Sequence, residues 1–248
     1  MSYYRNRLAL VMGASRGIGL EVARGLAARG ARVVASSRSA PPLDCEYLPC
    51  DATDPQRVRE LVELVLERWG TPWFAVNCAG MALPGWLESQ DPAECRTMME
   101  LNYFGTLHLT RTLLPHLVRQ RGGHLVHTAS LAGLFGLFGY AGYCASKFAV
   151  VGFSQALRRE LRPSGVRVSV LCPSNTRTPG LEEENRRKPP EVLRMEEKAA
   201  TVAPELVARR LLDALPSDPD LVFPTWDGRL AYTLSRVAPW ALDALLKR

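Results

Sequence analysis

Three side chains in the second half of the chain have the types and the spacing that proton transfer requires. Tyr143 and Lys147 stand four residues apart in the stretch YCASK, so a helix places them on one face. A phenol has a reference pKa of about 10, and an ammonium group one turn away favours the phenolate and lowers that pKa. Ser130, at the end of an apolar run, adds a hydroxyl that can donate to a carbonyl oxygen. These groups predict acid–base chemistry on a carbonyl or hydroxyl substrate.

A glycine-rich turn near the start of the chain has the composition of a pyrophosphate site. Gly13, Gly17 and Gly19 in GASRGIG follow a hydrophobic run and open a stretch with helical apolar periodicity. Glycines there allow a tight turn and close approach of the backbone to a phosphate, while the helix supplies amide donors. The spacing differs from the usual G-x-G-x-x-G, and a plain strand–helix turn is the alternative interpretation. The strand before and the helix after favour the phosphate site.

The next apolar run, VVASSRSA, indicates which dinucleotide binds. An NAD site places a carboxylate there, about twenty residues past the glycines, for the ribose 2′-hydroxyl. Ser36 or Ser37 holds that place, and Arg38 follows. The missing carboxylate removes repulsion toward a 2′-phosphate, and a guanidinium offers bidentate donors for it. We therefore predict NADP(H), with Arg16 as a second cation; the alternative is that both arginines are merely solvated.

These residues need a scaffold, and the apolar pattern predicts one. Short β-rich runs alternate with helical stretches such as GLEVARGLAARG and RVRELVELVLERW; the runs are RLALVMG, ARVVASS, EYLPCD, WFAVNCAG, GHLVHTAS and VRVSVLCP. This alternation is typical of an α/β fold with a parallel sheet covered by helices on both faces. We predict a Rossmann-like, doubly wound sheet of about seven strands.

Over nearly its whole length the chain resembles the short-chain dehydrogenase/reductase family. The matching pieces occur in the family's order: GASRGIG, Asp51 in PCDATD, Asn77 in NCAG, Asn102 in LNYFG, Ser130, Tyr143 and Lys147. The resemblance implies an oxidoreductase in which Tyr143 donates and accepts the proton and Ser130 polarises the carbonyl. Lys147 is expected to lower the pKa of Tyr143 and hold the nicotinamide ribose. Asn102 is expected to support a water molecule that relays protons to Lys147.

The same resemblance implies the cofactor contacts. Asp51 is expected at the adenine, Asn77 at the adenosine ribose, and the Thr176 backbone and Thr178 hydroxyl at the carboxamide. The full expected set is Gly13, Ser15, Arg16, Gly17, Ile18, Gly19, Arg38, Asp51, Ala52, Asn77, Ala79, Gly80, Tyr143, Lys147, Pro173, Thr176 and Thr178. Apart from the family, Asn102 reads as a polar helix residue and Asp51 as a strand-end cap. Met12, where Thr is usual, and Ser174, where Gly usually follows Pro, depart from the pattern.

Composition narrows the class of protein. The 248 residues, 47% of them hydrophobic, are enough for one large core, which predicts a single domain over residues 1–248. The net charge of +6 is spread along the chain, so nucleic acid is not an expected partner. Six scattered cysteines, no signal-peptide run and no stretch long enough for a membrane span predict a reduced, cytoplasmic protein. The family resemblance implies a homodimer or homotetramer.

The four histidines do not suggest a metal site. His124 and His127 fall in a predicted strand at a spacing that points them to opposite faces. His108 and His116 fall on a predicted helix without convergent ligands. We interpret all four as structural and predict no metal.

One segment, residues 173–204, interrupts the alternation with proline, glycine and charge; we call it the lid segment. We expect it to lie over the carboxyl edge of the sheet, where ligands of such folds bind. Its stretch NTRTPGLEEENRRKPPE resembles the 3-ketodihydrosphingosine reductases, which implies NADPH-dependent reduction of a long-chain sphingoid base. Glu182, Glu183 or Glu184 could then pair with the substrate ammonium. The alternative is a helix whose first turn is acidic and whose last turn is basic.

Other functions remain open at this stage. The same fold and catalytic residues suit reduction of another hydrophobic ketone, of 3-oxoacyl, steroid or retinoid type. A protein of another class, an NADP(H) sensor without turnover, is the remaining alternative. The intact Ser130, Tyr143 and Lys147 argue against it.

The C-terminal segment, residues 229–248, is amphipathic. Leu230, Leu234, Val237, Ala241 and Leu245 recur near helical spacing, and Pro239 predicts two short helices. The cations of the segment are Arg229, Arg236, Lys247 and Arg248. Two interpretations follow: peripheral contact with the inner, anionic face of a membrane, or packing over the substrate pocket or a subunit interface.

Overall fold

The computed structural model describes residues 3–197 and 200–246. Its strands form one parallel sheet in the order β3-β2-β1-β4-β5-β6-β7. The first three strands are added outward from β1 on one side, and the later strands are added on the other side, starting with β4. The strands are β1 Leu8–Met12, β2 Arg32–Ser37, β3 Glu46–Pro49, β4 Phe74–Asn77, β5 Gly123–Thr128, β6 Val166–Leu171 and β7 Leu221–Val222. This confirms the doubly wound, Rossmann-like fold. The two-residue β7 was not among the runs read from the sequence, because it is too short to show alternation.

Helices cover both faces of the sheet. They are α1 Gly17–Ala28, α2 Pro55–Trp69, α3 Pro92–Met99, α4 Gly105–Gln120, α5 Ala141–Leu161, α6 Pro179–Asn185, α7 Pro190–Glu196, α8 Pro204–Ala214, α9 Trp226–Val237 and α10 Pro239–Leu245. Alternate residues of β1 point to different layers: Val11 packs with α1 and α8, whereas Leu10 packs with α2, α4 and α5. Each fully buried aliphatic side chain stabilises the fold by roughly 1.5–3 kcal/mol.

The helix that leads into α4 contains a wide turn. Residues Glu100–Phe104 form a π-helical turn between α3 and α4, and Asn102 lies in it, fully buried. Such a turn shifts the phase of a helix by one residue and often occurs at functional sites. Asn102 is therefore more than a polar residue on a helix surface.

The lid segment contains two seven-residue helices, α6 and α7, and an isolated bridge between Thr176 and Val202. Only Glu182 of the three glutamates lies in the first turn of α6, and Arg186–Lys188 follows the end of the helix. The predicted helix with an acidic first turn and a basic last turn is therefore wrong for the last turn, which contains no basic residue. The proline pair that follows starts α7 instead of extending α6.

The C-terminal segment forms two helices, as the proline predicted, with the break at Ala238. Leu242 is buried, but Leu230, Val237 and Leu245 are exposed, so the predicted apolar stripe does not form one packed face. Lys247 and Arg248 lie outside the described residues. In the part of the chain that the structure describes, no helix is both long and apolar enough to cross a bilayer.

Candidate active site

The side chains of Ser130, Tyr143 and Lys147 meet at the carboxyl end of β5. Ser130 starts a 3₁₀ turn, where its hydroxyl accepts a hydrogen bond from the Ala132 amide at 3.2 Å. It also forms a hydrogen bond with the phenol of Tyr143, which lies in the first turn of α5. Lys147, one turn further, donates from Nζ to the Thr128 carbonyl at 2.9 Å. Its Nζ lies 5.8 Å from the centroid of the Tyr143 ring. The three predicted side chains are thus brought together.

The charge environment of this trio differs from the prediction. Loss of water around the phenol, and then the charge of Glu184, hold the pKa of Tyr143 well above its usual range, while the bond with Ser130 acts in the opposite direction. Burial lowers the pKa of Lys147 to about 8. The net shift of the Tyr143 pKa is therefore upward, because desolvation is its largest cause, and the expected lowering by Lys147 stays a prediction.

Asn102 and Lys147 converge on Gly80. The side chain of Asn102 bonds both the amide and the carbonyl of Met81, each at 2.9 Å, and donates to Ser146 Oγ at 2.9 Å. A Cβ atom added to Gly80 would lie 2.9 Å from Asn102 Oδ1 and 3.2 Å from Lys147 Nζ. Gly80 thus leaves the space between the two side chains open, which suits the expected relay.

The glycine turn brings backbone segments into close contact. A Cβ atom on Gly13 would lie 2.4 Å from the Ala79 amide nitrogen, and one on Gly19 would lie 2.1 Å from the Gly13 carbonyl oxygen. Gly17 adopts a positive φ of 58°. Arg16 is the N-terminal capping residue of α1 and makes no side-chain capping bond. The first amides of this twelve-residue helix are thus available to an anion.

A cavity of about 380 Å³ opens beside the catalytic trio and is mainly apolar. The sheet edge contributes Ser130 and Tyr143, and the lid segment contributes Leu181, Glu184 and Met195. The C-terminal helices close it with Gly228, Ala231, Leu242, Leu245 and Leu246. Of the two interpretations of the C-terminal segment, packing over the pocket is what this structure has.

A family model described as short chain dehydrogenase matches residues 7–189, well over half of the chain. The chain belongs to the short-chain dehydrogenase family. This confirms the resemblance that the motifs indicated.

Relatives of this short-chain dehydrogenase include two curated proteins and one solved structure. It is 33% identical over 174 residues to the 3-ketodihydrosphingosine reductase of Dictyostelium discoideum, a match that covers 68% of this chain and 52% of the relative. The mouse 3-ketodihydrosphingosine reductase is 33% identical over 159 residues, 64% of this chain and 48% of the relative. The chain thus spans about half the length of these relatives. A short chain dehydrogenase from Burkholderia cenocepacia in complex with NADP is 28% identical, with a TM-score of 0.83 and 99% of each chain covered.

The residues present in this short-chain dehydrogenase fit a bound dinucleotide. Among the described residues, a few buried side-chain atoms lack a hydrogen-bond partner. Two of them lie near the ends of the site expected for the dinucleotide. Ser36 Oγ lies at the end of β2, beside the glycine turn, whose Gly13 and Ala14 amides donate to the Ser36 carbonyl. Ser174 Oγ lies at the other end, among the residues that line the cavity. A polar ligand between these points would satisfy both hydroxyls.

The arginines predicted to bind the 2′-phosphate differ. Arg38 is exposed directly after β2, and its charge contributes, after the bonds from Thr53, to the lowered pKa of Asp51. Arg16 instead makes a two-pronged ion pair with Glu183 of α6, at 2.6 and 3.1 Å. In this structure Arg16 joins the glycine turn to the lid segment. Arg38 thus lies exposed at the end of β2, where the sequence predicted a residue that binds the 2′-phosphate.

Several expected cofactor residues have structural partners inside the protein. Asn77 is buried; it donates to Thr106 Oγ1 at 2.8 Å and accepts from the Ala79 amide at 3.0 Å. It holds the turn that contacts Gly13, and its expected place beside the adenosine ribose stays a prediction. The Asp51 carboxylate accepts hydrogen bonds from the amide and the hydroxyl of Thr53. Its side chain therefore has the capping role after a strand that was the alternative prediction. The neighbouring Ala52 is buried.

The loop after β6, which contains the residues expected to contact the nicotinamide carboxamide, borders the cavity. Pro173, Ser174, Thr176 and Thr178 all line the cavity, and so does Ile18 of α1. The Thr178 hydroxyl accepts from the Leu181 amide at 3.2 Å and caps α6, which leaves its proton free to donate. The bridge to Val202 uses the Asn175 carbonyl and the Arg177 amide, not the backbone groups of Thr176.

The three glutamates of the lid segment have separate environments. Glu182 is exposed and Glu183 is held by Arg16. Glu184 is half-buried, lines the cavity and has a pKa raised to about 7 by burial. It lies beside Tyr140, Lys188 and Glu196, which sequence reasoning did not identify. No local spacing indicates that cluster, because its members come from α6, α7, the loop between them and the start of α5.

The buried histidines of β5 have the structural role that was predicted. His124 bonds Tyr3 Oη at 3.0 Å and Ser169 Oγ at 2.8 Å. On the opposite face, His127 bonds the hydroxyls of Thr110 and Ser154. Burial lowers their pKa values to about 3 and about 4, so both imidazoles are neutral at pH 7.

Proposed function

We propose that this short-chain dehydrogenase reduces the ketone of 3-ketodihydrosphingosine to dihydrosphingosine with NADPH, a step of sphingolipid biosynthesis. The observation that carries the proposal is the apolar cavity that opens directly onto Ser130 and Tyr143. A long alkyl chain gains about 0.8 kcal/mol for each methylene that leaves water, and the cavity offers mainly apolar surface to it. The names of the relatives at 33% identity support the same substrate.

The cofactor preference is also proposed. The end of β2 carries Ser36 and Ser37 in place of a carboxylate, and Arg38 is exposed beside them. A 2′-phosphate would meet a guanidinium there and no repelling charge. The NADP in the related Burkholderia cenocepacia structure is consistent with this preference.

The proposed mechanism assigns one task to each side chain. Bound NADPH supplies the hydride that the ketone carbon takes up. Tyr143 gives its phenolic proton to the ketone oxygen, so that hydride and proton together convert the carbonyl to a hydroxyl. The raised pKa keeps the phenol protonated at neutral pH, so the proton to be donated is in place. Ser130 donates a hydrogen bond to the ketone oxygen as negative charge develops on it.

Lys147 and Asn102 act after the proton has left Tyr143. The phenolate that remains is stabilised by the Lys147 ammonium one helical turn away. A lysine with a pKa of about 8 exchanges its proton readily near neutral pH. We propose that a water molecule at Gly80, supported by Asn102, passes the replacement proton to Lys147, which passes its own proton on to Tyr143.

The test is loss of NADPH absorbance with 3-ketodihydrosphingosine in mixed micelles. NADH and an amine-free long-chain ketone serve as comparisons. We expect turnover with NADPH and the amino ketone, and a fall in kcat of about 10²- to 10⁴-fold in Tyr143→Phe, with NADPH binding retained. Turnover of the amine-free ketone alone would reassign the substrate to another hydrophobic ketone. NADPH binding without turnover of any ketone would favour a sensor.

Because the substrate is a membrane lipid, we also propose peripheral contact of the C-terminal helices with the bilayer that contains it. Trp226 and Trp240 are 79% and 75% exposed, and Arg229 and Arg236 are exposed on the same helices. Tryptophans favour the membrane–water interface, and arginines favour anionic headgroups. Leu245 is both exposed and part of the cavity lining, so the apolar surface continues into the pocket.

A further inference from the structure

The cavity has a charged corner beside the catalytic trio. Glu184 of α6 and Glu196 of α7 meet there, with Lys188 between them and Tyr140 below. Lys188 is fully buried at its side chain and donates to Glu196 at 2.5 Å and to Asn185 at 2.6 Å. Glu184 and Glu196 both line the cavity. A ligand in the cavity therefore meets carboxylates and not only apolar surface.

This corner contains one more carboxylate than ammonium group. Glu196 is satisfied by Lys188, by the Tyr140 hydroxyl at 2.7 Å and by Asn175 at 3.1 Å. Tyr140 has a single hydroxyl proton, which this geometry gives to Glu196. Burial and then the negative charge of Glu196 act against ionisation of Glu184, which is left to share the charge of Lys188 and receives a smaller contribution from Lys147. Ionised Glu184 thus needs a further cation, or it takes up a proton.

We infer that Glu184 binds the ammonium group next to the ketone of the substrate and makes the enzyme selective for 2-amino ketones over amine-free ketones. This inference rests on the proposed function and assigns a subsite to it. Glu184 lines the same cavity as Ser130 and Tyr143, so one ligand in that cavity can meet the carboxyl and the reacting centre together. A ketone held by Ser130 and Tyr143 presents its neighbouring carbon, and the amine on it, to this corner.

The other glutamates of the run do not fit this role. Glu183 is paired with Arg16 outside the cavity, and Glu182 is exposed two residues before Glu184 on α6. Neither lines the cavity. Glu182→Gln is consequently a matched control, since it removes the same charge from the same helix.

The first test compares two substrates in three proteins: wild type, Glu184→Gln and Glu182→Gln. The measured quantity is the ratio of kcat/KM for 3-ketodihydrosphingosine to kcat/KM for the same chain without its amine. Loss of a charge-assisted bond should lower this ratio at least about tenfold in Glu184→Gln, mainly through KM, and leave it unchanged in Glu182→Gln. Glu184→Asp should restore part of it. An equal loss for both substrates would overturn the inference and leave the proposed function intact.

The second test is the pH dependence of KM, which a purely structural role would not change. The charged and titratable groups that face Glu184 are Lys188, Glu196, Tyr140, Tyr143 and Lys147. Because the pKa of Glu184 is about 7, the fraction able to bind an ammonium rises between pH 5.5 and 7. The KM for the amino ketone should fall several-fold over that range in the wild type and not in Glu184→Gln. Parallel profiles would contradict the inference, whereas a wild type without turnover of either ketone would instead refute the proposed function.

Discussion

The free energy of unfolding should depend on pH because the fold buries two histidines and one glutamate. Burial lowers the pKa values of the histidines and raises that of the glutamate. Burial lowers the pKa values of His124 and His127 from 6.5 to about 3 and about 4, because it disfavours the imidazolium. Burial raises the pKa of Glu184 from 4.5 to about 7, because it disfavours the carboxylate. In the unfolded chain all three return to their ordinary values.

The two effects oppose each other below pH 6.5. The unfolded chain protonates both histidines, so the free energy of unfolding falls as the pH falls. The native state protonates Glu184, whose contribution therefore increases as the pH falls toward 4.5. At pH 5.5 unfolding takes up about one proton net, which gives a slope of about 1.2 kcal/mol per pH unit. Glu184→Gln removes the opposing group and leaves about 1.8 protons and a slope of about 2.4 kcal/mol per pH unit.

The assay is urea denaturation of wild type, Glu184→Gln and Glu182→Gln at several pH values between 5 and 6.5. Groups common to the three proteins cancel when the slopes are subtracted, so the difference reports Glu184 alone. We expect the slope in Glu184→Gln to exceed the wild-type slope by about 1.2 kcal/mol per pH unit, and the slope in Glu182→Gln to stay at the wild-type value. Equal slopes in all three proteins would refute the reasoning, because they would mean that Glu184 is ionised in the folded protein.

Three further predictions concern the cofactor site and the C-terminal helices. Arg38→Glu should lower the ratio of kcat/KM with NADPH to that with NADH at least about tenfold, through loss of a charge-assisted bond; an unchanged ratio would show that Arg38 is only solvated. Gly19→Ala places a methyl group 2.1 Å from the Gly13 carbonyl oxygen and should abolish NADPH binding measured by fluorescence. Gly136→Ala, with no atom within 4 Å of the added methyl group, is its control, and equal binding by both variants would contradict the argument. The double variant Trp226→Ala, Trp240→Ala should no longer float with anionic liposomes but should keep turnover of micellar substrate. A wild-type protein that does not float, or that dimerises through these tryptophans, would refute the proposed membrane contact.

Much of this protein could be predicted from local sequence. The alternation of strand and helix patterns is a property of a few consecutive residues, and it was enough for the parallel sheet. The four-residue spacing of Tyr143 and Lys147 determines that they share a helical face. The spacing of Gly13, Gly17 and Gly19 is likewise visible in the local sequence, although the atoms that exclude a side chain at Gly13 belong to the distant segment at Ala79.

The remaining features depend on contacts between distant parts of the chain. Which glutamate of the lid segment faces the cavity depends on how α6 packs, and Arg16 meets Glu183 across 167 residues of sequence. The π-helical turn at Asn102 and the pairing of Lys188 with Glu196 have no local signal either.

The sign of the Tyr143 pKa shift illustrates the difference. Local spacing places an ammonium near the phenol, but burial is a property of the whole fold, and loss of water is the largest cause of the raised pKa of Tyr143. The sequence by itself determined the fold and the choice of Ser130, Tyr143 and Lys147 as candidate catalytic side chains, because both follow from short-range periodicity and spacing. Only the tertiary structure decided their electrostatics and the corner of the cavity where an ammonium can bind, because desolvation depends on every segment that packs around the site.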